Sequence, residues 1–330
     1  MSTASASPGS GHATDLTPEQ RTTYQSPQGQ AARDKREARR RRIPLLPALI
    51  FTIAATQLPF LVTIVISFMD YRALRPDQIG FTGFDNYVQV FTNPAVRSAV
   101  LTTILLTATV VIVSLILGTG IALLLDRKFF GRGAVRTMMI APFLVVPVAS
   151  ALLWKHGILN SGYGLFNGVL TWIWSLFGSD NPPQPAWLSE YPLLSIELSL
   201  IWQWTPFMML ILLAGLQSKP GDVVEAARMD GAGALQIFRY ITFPHLRRYL
   251  ELGGLLGSIY IVQAFDAVFI ITAGALGTAN LPYTIYATFF QQQNYGLASA
   301  QGVVVVIGTF IIATFALRTV SSLFDEETGR

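Results

Sequence analysis

Cysteine is absent from this chain, so neither a disulfide nor a thiolate metal site can form. Histidine is scarce: His12, His156 and His245 stand far apart and at no metal-ligand spacing. No G-x-x-x-x-G-K-[ST] stretch occurs, which excludes the phosphate-cradling loop of ATP hydrolysis from this chain. Nor do Glu197, His156 and the few other candidates compose a nucleophile, a base and an orienting group, so an enzyme is not expected. Charge is thin as well. Asp, Glu, Lys and Arg make up 13% of the residues, against about 25% in soluble globular domains.

What remains is hydrophobic. Apolar residues form 52% of the 330, and several runs of about 18 or more are long enough to cross a bilayer. Residues 1–32 are rich in Ser, Thr, Gln, Gly and Ala and are expected to be disordered. The run Arg33–Arg42 completes a basic N-terminal tail, 1–42, and reads as a positive-inside anchor facing anionic lipid rather than a nucleic-acid site. It is not a signal peptide, since it lies far from the start and no small-residue cleavage site follows a short apolar core.

Six spans are predicted, at about 43–68, 98–125, 137–154, 194–216, 248–272 and 300–320. The expected fold is an all-α integral membrane domain over 43–322, followed by a short cytoplasmic tail, 323–330. Residues 69–96 form a polar connection. Residues 155–193 form a longer one, in which Gly164–Trp174 is amphipathic enough for an interfacial helix. Nineteen of the 23 Lys and Arg fall in the N-terminal segment, the loop after span two, the loop after span four and the C-terminal end. That asymmetry puts both termini and the loop 217–247 in the cytoplasm.

The stretch Ser218–Pro244, S-K-P-G-D-V-V-E-A-A-R-M-D-G-A-G-A-L-Q-I-F-R-Y-I-T-F-P, is a polar island between two apolar segments. Ser218 is expected to cap a helix, with Pro220 in its first turn and Asp222 where the dipole favours an anion. Val223, Val224, Ala226 and Ala227 make a smooth strip suited to close approach. Gly231 and Gly233 should break this helix, Leu235, Ile237, Phe238 and Ile241 begin a second, and Pro244 end it.

Glu225-Ala226-Ala227, Asp230-Gly231-Ala232 and Ile241-Thr242-Phe243-Pro244 resemble the EAA loop of binding-protein-dependent ABC importers. The resemblance implies the type I importer transmembrane domain, with the 217–247 loop as the coupling helix that docks on a cytoplasmic ATPase. Glu225, Ala226, Ala227, Asp230, Gly231 and Ala232 would make that joint. It further implies two ATP-binding subunits, a second, non-identical permease forming a heterodimer, an extracytoplasmic solute-binding protein, and a place in a prokaryotic plasma membrane amid membrane lipid. ATP would be used by the partner subunits and no cofactor by this chain. No nucleic-acid partner is expected.

Further motifs narrow the resemblance to sugar-import permeases of the maltose and glycerol-phosphate type. They are Gly164-Leu165-Phe166-Asn167, Trp187-Leu188, Trp202 with Pro206-Phe207, Ala214-Gly215-Leu216-Gln217, Phe265-Asp266 and Thr272-Ala273-Gly274. Where such proteins often read T-x-G-G-P, this chain has Thr272-Ala273-Gly274-Ala275-Leu276. Aligned on these motifs, the maltose-type pocket falls on Gln203, Trp204 and Phe207 and on Gly257, Tyr260, Ile261 and Ala264. Asp266 is an ionisable group near a span, a functional candidate in its own right.

The residue chemistry agrees with a di- or oligosaccharide, since sugars are held by aromatic faces and by amide, hydroxyl and carboxylate hydrogen bonds. At 1.5 Å per residue, Trp204 would lie roughly 15 Å below the outer surface and Tyr260 roughly 18 Å above the inner one, a shared depth. The same aromatics could equally be packing or interface belt. Glycerol phosphate, a polyol, an amino acid, phosphate or a metal remain alternative cargoes of the same machinery. An ion-coupled secondary transporter is the remaining rival, although no inverted repeat or charge relay is visible.

Overall fold

The computed structural model describes residues 46–178 and 181–328, so the expected tail 1–42 and its basic run lie outside the described residues. These separate into two units, one ending at Val62 and the other running from Thr63 onward. The first holds most of helix α1 (Leu46–Ser67), which includes Pro59. Thr52 and Thr56 return their hydroxyls to carbonyls one turn back, so neither polar group is left bare.

The second unit is almost wholly helical. A two-residue antiparallel hairpin, β1 (Met69–Asp70) with β2 (Gly80–Phe81), departs from an all-α description. Helix α2 (Asp85–Thr92) follows, then α3 (Pro94–Asp126), whose 33 residues run well beyond a bilayer's hydrocarbon thickness. Asn93 caps α3 by accepting from the Ala95 amide, and Pro94 occupies its first turn. Next come α4 (Arg132–Leu144), α5 (Pro147–Leu152) with a π-helical continuation over Leu153–Ile158, α6 (Leu165–Leu176), α7 (Trp187–Glu190) and α8 (Pro192–Gln217). The chain ends in α9 (Gly221–Met229), α10 (Ala234–Ile237), α11 (Phe243–Ile261), α12 (Asp266–Ile271), α13 (Leu281–Tyr286) and α14 (Tyr295–Thr328).

Helices α1, α3 and α8 are each long and apolar enough to cross a membrane, and α4 with α5 forms a fourth candidate span bent by 93°. Among the spans of the second unit, α8 is the central one: 61% of its apolar window is buried, against 33% for α3. Its inward face carries Ile196, Leu200, Met208, Met209, Leu212 and Leu213. Helices α3 and α11 approach α8 closely because glycines face it. A Cβ on Gly118 would lie 2.9 Å from both Met208 Cβ and the Met209 backbone nitrogen, and one on Gly257 would collide with the Met208 methyl. In lipid, where burial between helices gains little, such small-residue contact is what holds spans together.

Several expectations are corrected here. The third span is not continuous over 137–154. Pro147 disfavours helix at the residue before it, and Val145 and Val146 are extended (ψ 131° and 134°). The fifth span is likewise interrupted, at Val262–Phe265. Pro244 ends nothing: it sits in the first turn of α11, and a π-helical turn over Phe238–Thr242 joins α10 to α11 ahead of it. Ser218 does not cap α9, which starts at Gly221 with Pro220 in the cap position; it is the C-terminal cap of α8. Helix α2 stands where a polar connection was expected.

The tight packing on Met208 generates a paired prediction. Gly118→Ala forces α3 away from α8, an overpacking cost of about 1–3 kcal/mol. Gly120→Ala meets nothing within 4 Å and gains about 1 kcal/mol of helix propensity. Thermal unfolding in detergent should therefore show the first below wild type and the second at or above it. Equal midpoints for the two variants would contradict the packing account.

Candidate functional site

Two regions concentrate the expected residues: a cavity at the helix breaks and the loop between α8 and α11. At each break a backbone carbonyl loses its helical donor, and each is answered by a buried side-chain amide. Gln203 Nε2 donates to Val145 O at 2.9 Å, and Asn280 Nδ2 donates to Ala264 O at 2.6 Å. Both carbonyl-bearing residues line a cavity of about 250 Å³. Irregular backbone at membrane depth is tolerated where it borders a cavity or is buried in protein, and the site meets that condition.

The wall of this cavity is aromatic on one side and polar on the other. Trp204 stacks on Tyr260 with ring centroids 5.4 Å apart and planes 30° from parallel, and Phe143 meets Trp204 edge-on at 5.6 Å. Gln203, Gln263 and Asp266 supply amide and carboxylate groups, with Asp266 in the first turn of α12. Of the residues expected from sequence, Gln203, Trp204, Tyr260, Ala264 and Asp266 therefore share one cavity. Phe207 stands behind them, stacked on Phe143 at 5.3 Å. Gly257 and Ile261 do not reach the cavity: Gly257 faces Met208, and Ile261 is fully buried in the core. Trp202 packs edge-on against Trp154 within that core, a structural place. Phe143 and Val145 line the cavity unforeseen; the V-V-P-V run at 145–148 marks the break that brings them there.

The loop is ordered by its own hydrogen bonds. Gly231 N–H donates to Arg228 O at 3.1 Å and Ala232 N–H to Ala227 O at 2.9 Å, a Schellman ending with Gly231 left-handed (φ +83°). Asp230 N–H donates to Ala226 O, closing the last helical turn. Beyond it, Gln236 Oε1 accepts from the Gly233 amide at the start of α10. Glu225 and Ala226 are exposed, Ala227 and Ala232 half-buried, and no residue of α9 is buried. Val223 and Met229 are 50% and 89% exposed, an apolar surface that the described residues leave uncovered.

The roots of the loop are tied together by residues that sequence reasoning missed. Ser218 Oγ lies 2.8 Å from Tyr249 Oη and 3.2 Å from His245 Nε2, while His245 Nε2 lies 3.0 Å from Gly215 O. Lys219 Nζ donates to Thr242 Oγ1 at 3.1 Å. The end of α8 is thus latched to the start of α11, over a separation of 31 residues between Ser218 and Tyr249. The sequence signal was slight: His245 and Tyr249 stand four residues apart among charged neighbours at the start of α11.

Comparison with known proteins gives consistent matches. The family described as "Binding-protein-dependent transport system inner membrane component" matches residues 114–325. The probable ABC transporter permease protein y4oQ of Sinorhizobium fredii is 33% identical over 290 residues, covering 84% of this chain and 90% of that protein. The trehalose/maltose transport system permease protein MalF of Thermococcus litoralis is 32% identical over 280 residues, with the same coverages of 84% and 90%. Among solved structures, a bacterial ABC transporter involved in import of the acidic polysaccharide alginate superposes with a TM-score of 0.74. It is 21% identical and covers 89% of this chain and 99% of that one, a likeness of fold.

The latch makes its own prediction. A net hydrogen bond is worth about 0.5–1.5 kcal/mol, so Ser218→Ala should speed amide exchange over residues 218–224 by about 2- to 10-fold. Exchange in the core of α8 should stay unchanged. Unaltered exchange at the loop root would show that Ser218 holds nothing.

Proposed function

The chain belongs to the inner membrane components of binding-protein-dependent transport systems, and from that premise we propose that it carries a di- or oligosaccharide from an extracytoplasmic binding protein into the cytoplasm. It is a membrane transport subunit rather than an enzyme. The observation that carries the cargo reading is the cavity at the helix breaks. A stacked Trp204–Tyr260 pair offers a flat apolar face for sugar C–H surfaces, and Gln203, Gln263 and Asp266 offer groups for hydroxyls. The trehalose/maltose name of one relative supports the same class.

The cavity volume supports a second subunit. At about 250 Å³ it falls below the ~300–1,000 Å³ usual for small-molecule sites, so this chain supplies one wall and a second permease the other. The loop 217–247 is the coupling element, with Glu225, Ala226, Ala227, Asp230, Gly231 and Ala232 at the joint with one of two cytoplasmic ATPase subunits. Its ordered, uncovered helix is the supporting observation. The transmembrane domain over 43–322 then has six spans, α11 with α12 and the apolar first half of α14 completing the set. Both termini and the 217–247 loop face the cytoplasm by the distribution of Lys and Arg.

Two measurements test this reading. Trp204→Ala removes a stacking face worth about 0.5–1.5 kcal/mol, so sugar uptake in membrane vesicles should fall by about 2- to 10-fold while the assembled complex is retained. Wild-type uptake by this variant would move the pocket out of this chain. At the loop, Glu225→Lys reverses the charge at the joint, and losing a buried charge pair costs ~2–5 kcal/mol. Gly231→Val instead puts a β-branched residue in the left-handed region, at about 1–2 kcal/mol. Both variants should insert normally yet lose co-purifying ATPase or uncouple hydrolysis from uptake. Normal transport with the ATPase still bound would leave α9 a mere surface helix.

A further inference from the structure

A second cavity, of about 270 Å³, lies between α2, α3 and α14 on the far side of the break in the fifth span. Its walls are almost entirely aliphatic, with Val100 and Ile104 of α3 facing Val304 and Val305 of α14. Val100 and Ile104 are themselves 39% and 59% exposed, so the cavity opens at the apolar surface of a membrane-crossing helix rather than inside the fold. Two polar features interrupt this surface. Arg97, one turn into α3 and exposed, stands at the rim and enters no ion pair among the described residues. Gln301, 3% exposed, lines the cavity with its Oε1 buried and without a hydrogen-bond partner. The two threonine hydroxyls in the wall are already engaged, Thr103 with Ala99 O and Thr309 with Val305 O.

A buried acceptor left open costs about 1–3 kcal/mol, and native structures rarely leave one without a reason. The occupant that answers all three features must carry a hydrocarbon chain for the valine walls, an anion for Arg97 and a hydroxyl donor for Gln301. Arg97 and Gln301 line the same cavity, and their neighbours Val96, Leu297 and Ala300 pack in one cluster, so the two polar groups flank one stretch of the groove. We propose that this cavity binds one molecule of an anionic phospholipid with a hydroxylated headgroup: its phosphate on Arg97, a headgroup hydroxyl donating to Gln301 Oε1, and an acyl chain along α3 and α14. Basic rims beside apolar grooves between spans bind anionic lipid by this chemistry.

The position gives the lipid a role. Val262 lines this cavity, while Gln263, Ala264, Phe265 and Asp266, the next four residues, line the cavity of the candidate site. A chain packed against Val262 therefore braces the unwound segment from behind, and the two cavities share one break.

The test uses the full protein in nanodiscs of equal parts phosphatidylglycerol and phosphatidylcholine, with bound lipid counted by native mass spectrometry after detergent release. Wild type should retain one phosphatidylglycerol in at least 5-fold preference. Arg97→Gln should abolish the preference, and Gln301→Leu, which removes the open acceptor without straining the fold, should reduce it. Val304→Trp should expel lipid of both kinds by filling the groove. Equal retention of the two lipids by wild type would overturn the proposal, as would unchanged selectivity in both Arg97→Gln and Gln301→Leu. A cysteine at Val100 that crosslinks to another protein subunit instead of reacting with a lipid-soluble maleimide would also overturn it. None of these readouts depends on sugar transport, so they stand or fall apart from the cargo assignment.

Discussion

A backbone that unwinds inside a bilayer must find partners for the carbonyls it frees, because no water is there to supply them. This chain unwinds at Val145–Val146 and again at Val262–Phe265. At each break a buried amide answers a freed carbonyl, Gln203 in one case and Asn280 in the other, and at the second Gln263 also takes the Ile259 carbonyl. The rest of the second unit is arranged to make these two bonds possible. Helix α8 must run through the middle to bring Gln203 to the first break, and the fold after α12 must double back to bring Asn280 to the second. The cavity is the space left between two interrupted spans that cannot pack flush. Its polar character follows from the same constraint, since the groups that satisfy broken backbone also line the opening.

Much of this was legible in the sequence and some was not, for definable reasons. The helix and turn of the 217–247 loop were legible because their signals are local: Gly231 favours a left-handed turn, and the alanines before it favour a smooth helix. Trp204 and Tyr260 were placed at one depth by counting rise per residue, and they do stack. The breaks were not seen, since hydropathy averages over Val145–Pro147 and Val262–Phe265 without registering dihedral angles. Gly257 and Ile261 were placed by alignment, which does not say which side of α11 meets α8; they face Met208 and the core. The latch at Ser218 was hidden because its partners are 27 and 31 residues away.

The distribution of rigidity follows from these contacts. The buried face of α8 meets glycines on two neighbouring helices, and Met208 touches both. Packing of that kind transmits displacement rather than absorbing it, because close-packed interiors have little free volume to yield. The α9 helix is the opposite case, ordered within itself but left uncovered by the described residues. Its shape is fixed in advance of any partner, which lowers the ordering cost of docking.

Helices α8 and α11 are joined at three levels. Ser218 meets Tyr249 at the loop, Met208 meets Gly257 in the middle, and Trp204 meets Tyr260 at the cavity. Along α8 the outer two contacts are 14 residues apart, roughly 21 Å, and along α11 they are 11 residues apart, roughly 16 Å. Two antiparallel helices clamped at both ends and at the centre move as one body. Three contacts spread along both helices leave little free volume for one to slide on the other between the loop and the cavity. The far wall, on α4 and α5, is held to α8 by the Gln203 bond at the 93° bend and by Phe143, which packs on Trp204 and Phe207. The residue that satisfies the broken backbone thus also ties the bent span to the central helix.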